Sequence, residues 1–168
     1  MSSPTDDLRS IMESTLLTFL GHQALNRNVD PSVPASMTTS ECLWYIKPDS
    51  FMTKYPFVDG VKTSAEQKEH MGQEIKIMEE SRNKILDSTI DAVARKGSAH
   101  VEHWTKFDGS KPSIMEICWF VNFTDDGKKI SKVVKFIDTA EGSKTIEDMA
   151  RGGYKLEEEA AKKESGQV

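Results

Sequence analysis

A histidine and a lysine interrupt otherwise strand-like, apolar stretches of this chain, and both are residues that could do chemistry in an enclosed site. His103 lies in the segment Ser98 to Phe107, and Lys135 breaks the run Val133-Val134-Lys135-Phe136-Ile137. A neutral imidazole can give or take a proton, and an ammonium can stabilise a carbonyl or enolate oxygen. Removed from water, the lysine pKa falls, and the amine can then serve as a base or a nucleophile. His100 and His103 together read HVEH, which invites a metal, yet an odd separation on a strand sends the two rings to opposite faces. No metal site is expected. His70 and Glu74 stand one helical turn apart and form either a pair that orients the imidazole over a site or a solvated surface pair. Cys42 and Cys118 have no second thiol or histidine at ligand spacing, so neither a disulfide framework nor zinc is signalled, and no metal or redox cofactor is expected. Gly-rich phosphate loops and serine nucleophile motifs are absent from the sequence.

Whether His103 and Lys135 share a face depends on the elements that carry them. Leu8, Ile11, Met12, Leu16, Phe19 and Leu20 recur at helical spacing and predict a first helix that ends before Asp30. Cys42 to Lys47 predicts a short strand stopped by Pro48. Thr63-Ser64-Ala65-Glu66 is a capping box opening a second helix, with Met71, Ile75 and Met78 on one stripe and His70, Glu74 and Ile77 beside it. Four strands follow, Ile85 to Arg95, Ser98 to Phe107, Ser113 to Phe123 and Ile130 to Asp138, with turns at Lys96-Gly97, Asp108-Gly109 and Asp126-Gly127. Carrying the register through Asp108-Gly109 groups Val101, His103 and Thr105 with Met115, Ile117 and Trp119 on one face. That set is an apolar wall with one imidazole, the character of a ligand pocket, with Met115, Ile117 and Trp119 as substrate contacts. A three-residue Asp125-Asp126-Gly127 turn with a glycine bulge adds Lys135 to this face, whereas a two-residue turn puts it with Cys118; Thr124-Asp125-Asp126-Gly127 favours the bulge. The strand around Trp119 is apolar at consecutive positions, so its other face, with Phe120 and later Phe136, predicts a homodimer contact.

The whole chain restricts the partners. With 168 residues, 37% hydrophobic and 29% charged, it suits one core, read here as a single domain over 1–150 followed by a charged tail over 151–168, a frayed helix or disordered. A net charge of −5 argues against nucleic acid or an anionic membrane and favours a small, neutral or anion-tolerant organic substrate. The acidic, polar start and the lack of a long apolar run predict neither secretion nor a membrane span, hence a cytoplasmic protein with reduced cysteines.

Helices first and a meander afterwards is an α+β order. Within it, Glu116 to Asp138 (EICWFVNFTDDGKKISKVVKFID) resembles the closing hairpin of fungal SnoaL-like proteins of the nuclear-transport-factor-2-like superfamily: an aromatic Trp-Phe strand, an Asp-Gly turn, and a last strand ending in an acidic residue, Phe, an aliphatic residue and Asp. Ala24 to Asp30 resembles the end of that family's first helix, and Cys42 to Pro48 its Cys-to-Pro strand. The resemblance spans about residues 8 to 150. It implies a cone-shaped α+β barrel in which a curved antiparallel sheet packs against N-terminal and lid helices around an apolar pocket. It also implies a cofactor-independent cyclase, isomerase or dehydratase acting on a polyketide- or terpenoid-like intermediate of secondary metabolism. The family's chemistry is commonly carried by an arginine before the Cys-to-Pro strand and a carboxylate on the last strand, and the matching positions here hold Thr38 and Lys135. Trp44 stands where relatives often carry a polar pocket residue and predicts an aromatic wall. The resulting candidates are His103 and Lys135 for catalysis, and Thr38, Trp44, His70, Met115, Ile117 and Trp119 for substrate contact. The alternative is a non-catalytic small-molecule-binding or dimeric scaffold protein of the same fold.

Overall fold

The structure, a computed structural model, describes residues 4–55 and 60–151; the tail expected beyond 151 lies outside the described residues. The elements run α1 (Pro4–His22), α2 (Ser32–Ala35), β1 (Thr38–Lys47), α3 (Asp49–Lys54), β2 (Val61–Thr63), α4 (Ser64–Ile77), β3 (Met78–Asp91), β4 (Lys96–Phe107), β5 (Ser113–Phe123), β6 (Ile130–Ile137) and α5 (Thr139–Arg151). The helix expected from Leu8 onward is α1, which buries Met12, Thr15, Leu16, Phe19 and Leu20 on one stripe. At the start of α4 the expected capping box is complete: the Thr63 hydroxyl accepts from the Glu66 amide at 3.3 Å, and the Glu66 carboxylate accepts from the Thr63 amide at 2.7 Å.

Six strands form one curved, open sheet in the order β2-β1-β6-β5-β4-β3. The last four make the expected antiparallel meander, but β1 lies parallel to β6, with Trp44 beside Val133, so the sheet is mixed where an antiparallel one was expected. The reason is connectivity. The chain enters β1 in the same direction as β6, and β2 then returns antiparallel to β1, so β1–β6 is the one parallel pair among the described strands.

Two strand boundaries differ from expectation. β3 begins at Met78, directly after α4, rather than near Ile85. Its first half is polar, yet Ser81 is buried, its hydroxyl and amide both bonding to the Leu25 backbone, which gives that stretch a ladder partner outside the meander. The β3–β4 turn runs over Ala92 to Arg95 instead of Lys96-Gly97. Asp91 closes it by accepting from the amides of Val93 and Ala94 at 3.0 and 2.9 Å, and Arg95 takes the left-handed conformation at φ 55°. Gly97 lies inside β4, where an added Cβ would stand 3.0 Å from both the Ile90 side chain and the Phe123 ring. Its small size, not its turn propensity, fits that position.

The β5–β6 connection occupies Thr124 to Lys129, longer than the three-residue turn expected, with Gly127 at φ +72° and its amide donating to Thr124 O at 2.9 Å. The register is nevertheless the one that the bulged turn would give: Lys135 is opposite Trp119, and Ile137 opposite Ile117. Phe19 of α1 packs against both Trp44 and Trp119, with centroids at 5.5 and 5.6 Å, joining the helix to β1 and β5. A second apolar cluster, including Leu25, Met71, Ile75, Met78, Phe107 and Met149, ties α4 and α5 to the far end of the sheet. Among the described residues no helix is long and apolar enough to cross a membrane.

Candidate active site

Between those two clusters lies a cavity of about 130 Å³, walled by Trp44, Met115, Ile117 and Trp119 from the sheet and by Met71 and Met149 from α4 and α5. Cavities near 150 Å³ accept a benzene-sized molecule, so this one has room for a ring-sized body.

His103 and Lys135 both line it. The His103 Nδ1 lies 2.6 Å from Asn83 Oδ1, and the Asn83 amide nitrogen donates to Leu20 O at 2.8 Å. Because that nitrogen is committed to a carbonyl, the Asn83 oxygen is the acceptor, His103 carries its proton on Nδ1, and Nε2 is left with a lone pair. Burial, aided by the Lys135 charge, pushes the imidazole pKa down from 6.5 to about 3. His103 is therefore neutral at ordinary pH.

The Lys135 ammonium sits over the Trp119 ring, 5.4 Å from its centroid. Burial draws its pKa below the usual lysine range, opposed by the charge of Glu74. Glu74, on α4, also lines the cavity; burial pushes its carboxyl up, while Lys135 and Lys62 pull it back. His70 Nε2 stands 4.0 Å from Glu74 Oε2, beyond hydrogen-bond reach, with both side chains only about one-fifth exposed (19% and 20%). The pair thus faces the cavity rather than solvent.

Trp44, His70, Met115, Ile117 and Trp119 are brought together around this space, and Thr38 is not. The Thr38 hydroxyl donates to Ala35 O at 3.1 Å and lies 3.2 Å from Ser64 Oγ, which itself donates to Thr39 O at 2.9 Å. Thr38 ties the start of α4 to β1, and its hydroxyl is used up in that junction. His100 and His103 part to opposite faces, His100 pairing with Glu116 at 2.7 Å on the outer side.

The sequence reading did not place Glu74 in the cavity for its carboxylate, nor did it name Asn83, Gln23 or Lys62. A signal existed for Glu74. Met71, Glu74, Ile75 and Met78 fall at i, i+3, i+4 and i+7, which places a carboxylate inside an apolar helical stripe. Asn83 had none, because its partner lies across the sheet. Four of the five buried side-chain polar atoms without a hydrogen-bond partner among the described residues also belong to this lining: Gln23 Nε2, Trp44 Nε1, Thr105 Oγ1 and Trp119 Nε1. Each would cost about 1–3 kcal/mol if left unpaired in the dry interior.

An open, curved mixed sheet wrapped by helices around one cavity is the nuclear-transport-factor-2-like, SnoaL-like fold. In shape the chain is similar to the BvnE pinacolase of Penicillium brevicompactum, with a TM-score of 0.75 and 16% identity over 90% of this chain and 97% of that one. It is similar also to PrhC of Penicillium brasilianum, with a TM-score of 0.74 and 17% identity over 90% of this chain and 97% of that one. A nuclear-transport-factor-2-like protein of unknown function from Burkholderia pseudomallei gives 0.62 and 12% identity, over 80% of this chain and 95% of that one. No protein-family profile and no curated protein sequence matches the chain.

Proposed function

We propose that this protein is a cofactor-independent cyclase, isomerase or dehydratase acting on a small polyketide- or terpenoid-like intermediate by proton transfer next to a carbonyl. The observation that carries this reading is the joint presence, in one apolar cavity, of a carboxyl raised by burial, an ammonium, and a histidine held in a single tautomer. Proton transfer works best when the base titrates near the working pH. Glu74 is shifted toward that range, whereas His103, at about 3, holds a proton too weakly to be the main base. The roles therefore divide. Glu74 takes a proton from carbon beside the carbonyl, and the C–H electron pair becomes the enolate, whose oxygen rests against the Lys135 ammonium. Returning the proton to a different carbon isomerises the substrate. Protonating a β-hydroxyl while the enolate collapses releases water and forms a C=C bond, and attack of the enolate carbon on a second carbonyl closes a ring, the new alkoxide taking the proton from Glu74. His103 contributes Nε2 as a fixed acceptor that orients a substrate hydroxyl.

Similarity in fold to an enzyme named as a pinacolase supports an enzyme over a passive carrier. So does the supply of a carboxylate from α4, where the family resemblance would have placed one on the last strand. The test is proton exchange. A panel of small cyclic enones and diketones is incubated in deuterated water and followed by NMR, with the Glu74→Gln protein alongside. Protein-dependent deuterium uptake that falls at least about a hundredfold in Glu74→Gln is expected. Equal uptake by the two proteins, or none above the buffer rate across the panel, overturns the proposal.

A further inference from the structure

Lys135 is an amine set in an apolar lining without a polar partner of its own. Among the described residues its nitrogen makes neither a hydrogen bond nor an ion pair, and it lies over the Trp119 ring, 5.4 Å from the centroid. Glu74 acts on it only through its charge, from beyond ion-pair distance, and His103, which feels the same ammonium, is neutral and offsets nothing. An ammonium so placed has given up its water shell and gained no acceptor, which favours loss of a proton. The freed amine is a nucleophile. It is also reachable: the indole nitrogens of Trp44 and Trp119 are sealed in the walls, whereas the Lys135 nitrogen keeps open surface on a side chain that lines the cavity. Glu74 is biased the other way, since burial holds a proton on its carboxyl. An amine short of a proton and a carboxyl that keeps one are what condensation with a carbonyl requires.

We infer that Lys135 is a covalent carbonyl-binding site, whose amine condenses with the aldehyde or ketone group of a ring-sized apolar ligand to form an iminium, with Glu74 as proton donor. Nζ adds to the carbonyl carbon, and one of its two protons passes to the oxygen, giving a carbinolamine. Glu74 then protonates that hydroxyl, the C–O bond breaks, water leaves, and the nitrogen lone pair closes the C=N bond. An iminium beside a Glu74 carboxylate remains. The ammonium of the proposed function and this amine are two protonation states of one group: the first holds a carbonyl oxygen, the second adds to the carbonyl carbon. The inference shares the cavity and Glu74 with that reading, but the condensation needs no turnover. Apolar walls and a volume of about 130 Å³ set the ligand's size.

Benzaldehyde is the probe, because it fits one ring and has no hydrogen on carbon beside its carbonyl, so it cannot enter the proton-exchange reaction. The protein is incubated with it and cyanoborohydride, which reduces an iminium to a stable secondary amine, and the benzyl groups are mapped by peptide mass spectrometry. Exposed Lys111 and Lys128 serve as internal references. Lys135 is expected to be labelled about tenfold or more faster than either, the gain in free amine that one unit of lowered pKa supplies. In denaturing urea the three should react alike, because the fold creates the preference. Labelling of Lys135 no faster than the references in the folded protein overturns the inference, and so does a preference that survives unfolding. Labelling at Lys135 without proton exchange on the ketone panel would sink the catalytic reading alone, and proton exchange without labelling would sink this one alone.

Discussion

At the scale of single residues, the Asn83–His103 contact makes the sharpest prediction. A histidine whose folded pKa is depressed contributes stability that is present above its unfolded value of 6.5 and lost as pH falls through the folded value of about 3. Inside that window one unpaired proton costs about 1.4 kcal/mol per pH unit. His103→Gln should therefore flatten the decline of the urea midpoint on moving down from pH 6.5, relative to the parent protein. An identical slope in both would show that His103 is protonated in the fold. Asn83→Asp changes the neutral acceptor into an anion, which favours the imidazolium. The His103 ring signal, silent between about pH 5 and 8 in the parent, should titrate there in the variant by NMR. His103 and Lys135 were legible as candidates because each is a polar residue set in an apolar strand pattern. The part proposed for Glu74 was not, since the His70–Glu74 spacing left open whether the carboxylate orients the imidazole over a site or belongs to a solvated surface pair. Whether a helical carboxylate is wet or dry depends on what covers the helix, and α5 and the sheet lie far from it in sequence. Thr38 shows the opposite error: a residue placed by resemblance turns out to bond backbone at a junction.

At the scale of elements, two positions hold the site in register. Gly127 lies at φ +72°, and an added Cβ would stand 2.7 Å from Met12 Cγ, so Gly127→Ala meets both backbone strain and a collision with α1. A loss of about 1–3 kcal/mol is expected in chemical denaturation, with proton-exchange activity falling because the loop sets the strand that carries Lys135. Thr63→Ala removes the hydroxyl half of the α4 cap and should cost about 1 kcal/mol. That helix carries Glu74, so the variant tests whether cap and site are coupled. These elements were readable to differing degrees. The capping box and the β4, β5 and β6 segments follow from local chemistry and alternation. The early start of β3 does not, because its polar first half is stabilised by Leu25 and β4 rather than by its own pattern. The parallel β1–β6 pairing joins segments some 90 residues apart, Trp44 with Val133, and no local signal can specify it.

At the scale of the whole molecule, the outer face of the sheet remains to be covered. Phe120 is 49% and Phe136 47% exposed, and Leu43 and Ile114 are exposed on the neighbouring β1 and β5. Phe120 faces Val134 across the ladder and Phe136 faces Cys118, so these side chains form a continuous apolar strip rather than scattered points. Single exposed apolar residues are ordinary on a soluble protein, but contiguous aromatic patches mark contact surfaces. We expect a second copy of the chain to cover it, because a two-fold contact would let each strip cover the other. The expected result is a homodimer by analytical ultracentrifugation at micromolar concentration. Replacing both Phe120 and Phe136 by Glu should give a folded monomer, because the substitutions lie on the side of the sheet away from Trp44, Trp119 and the cavity. If the parent chain sediments as a monomer at tens of micromolar (about a thousandfold above a strong dimer's dissociation constant), the strip does not serve self-association.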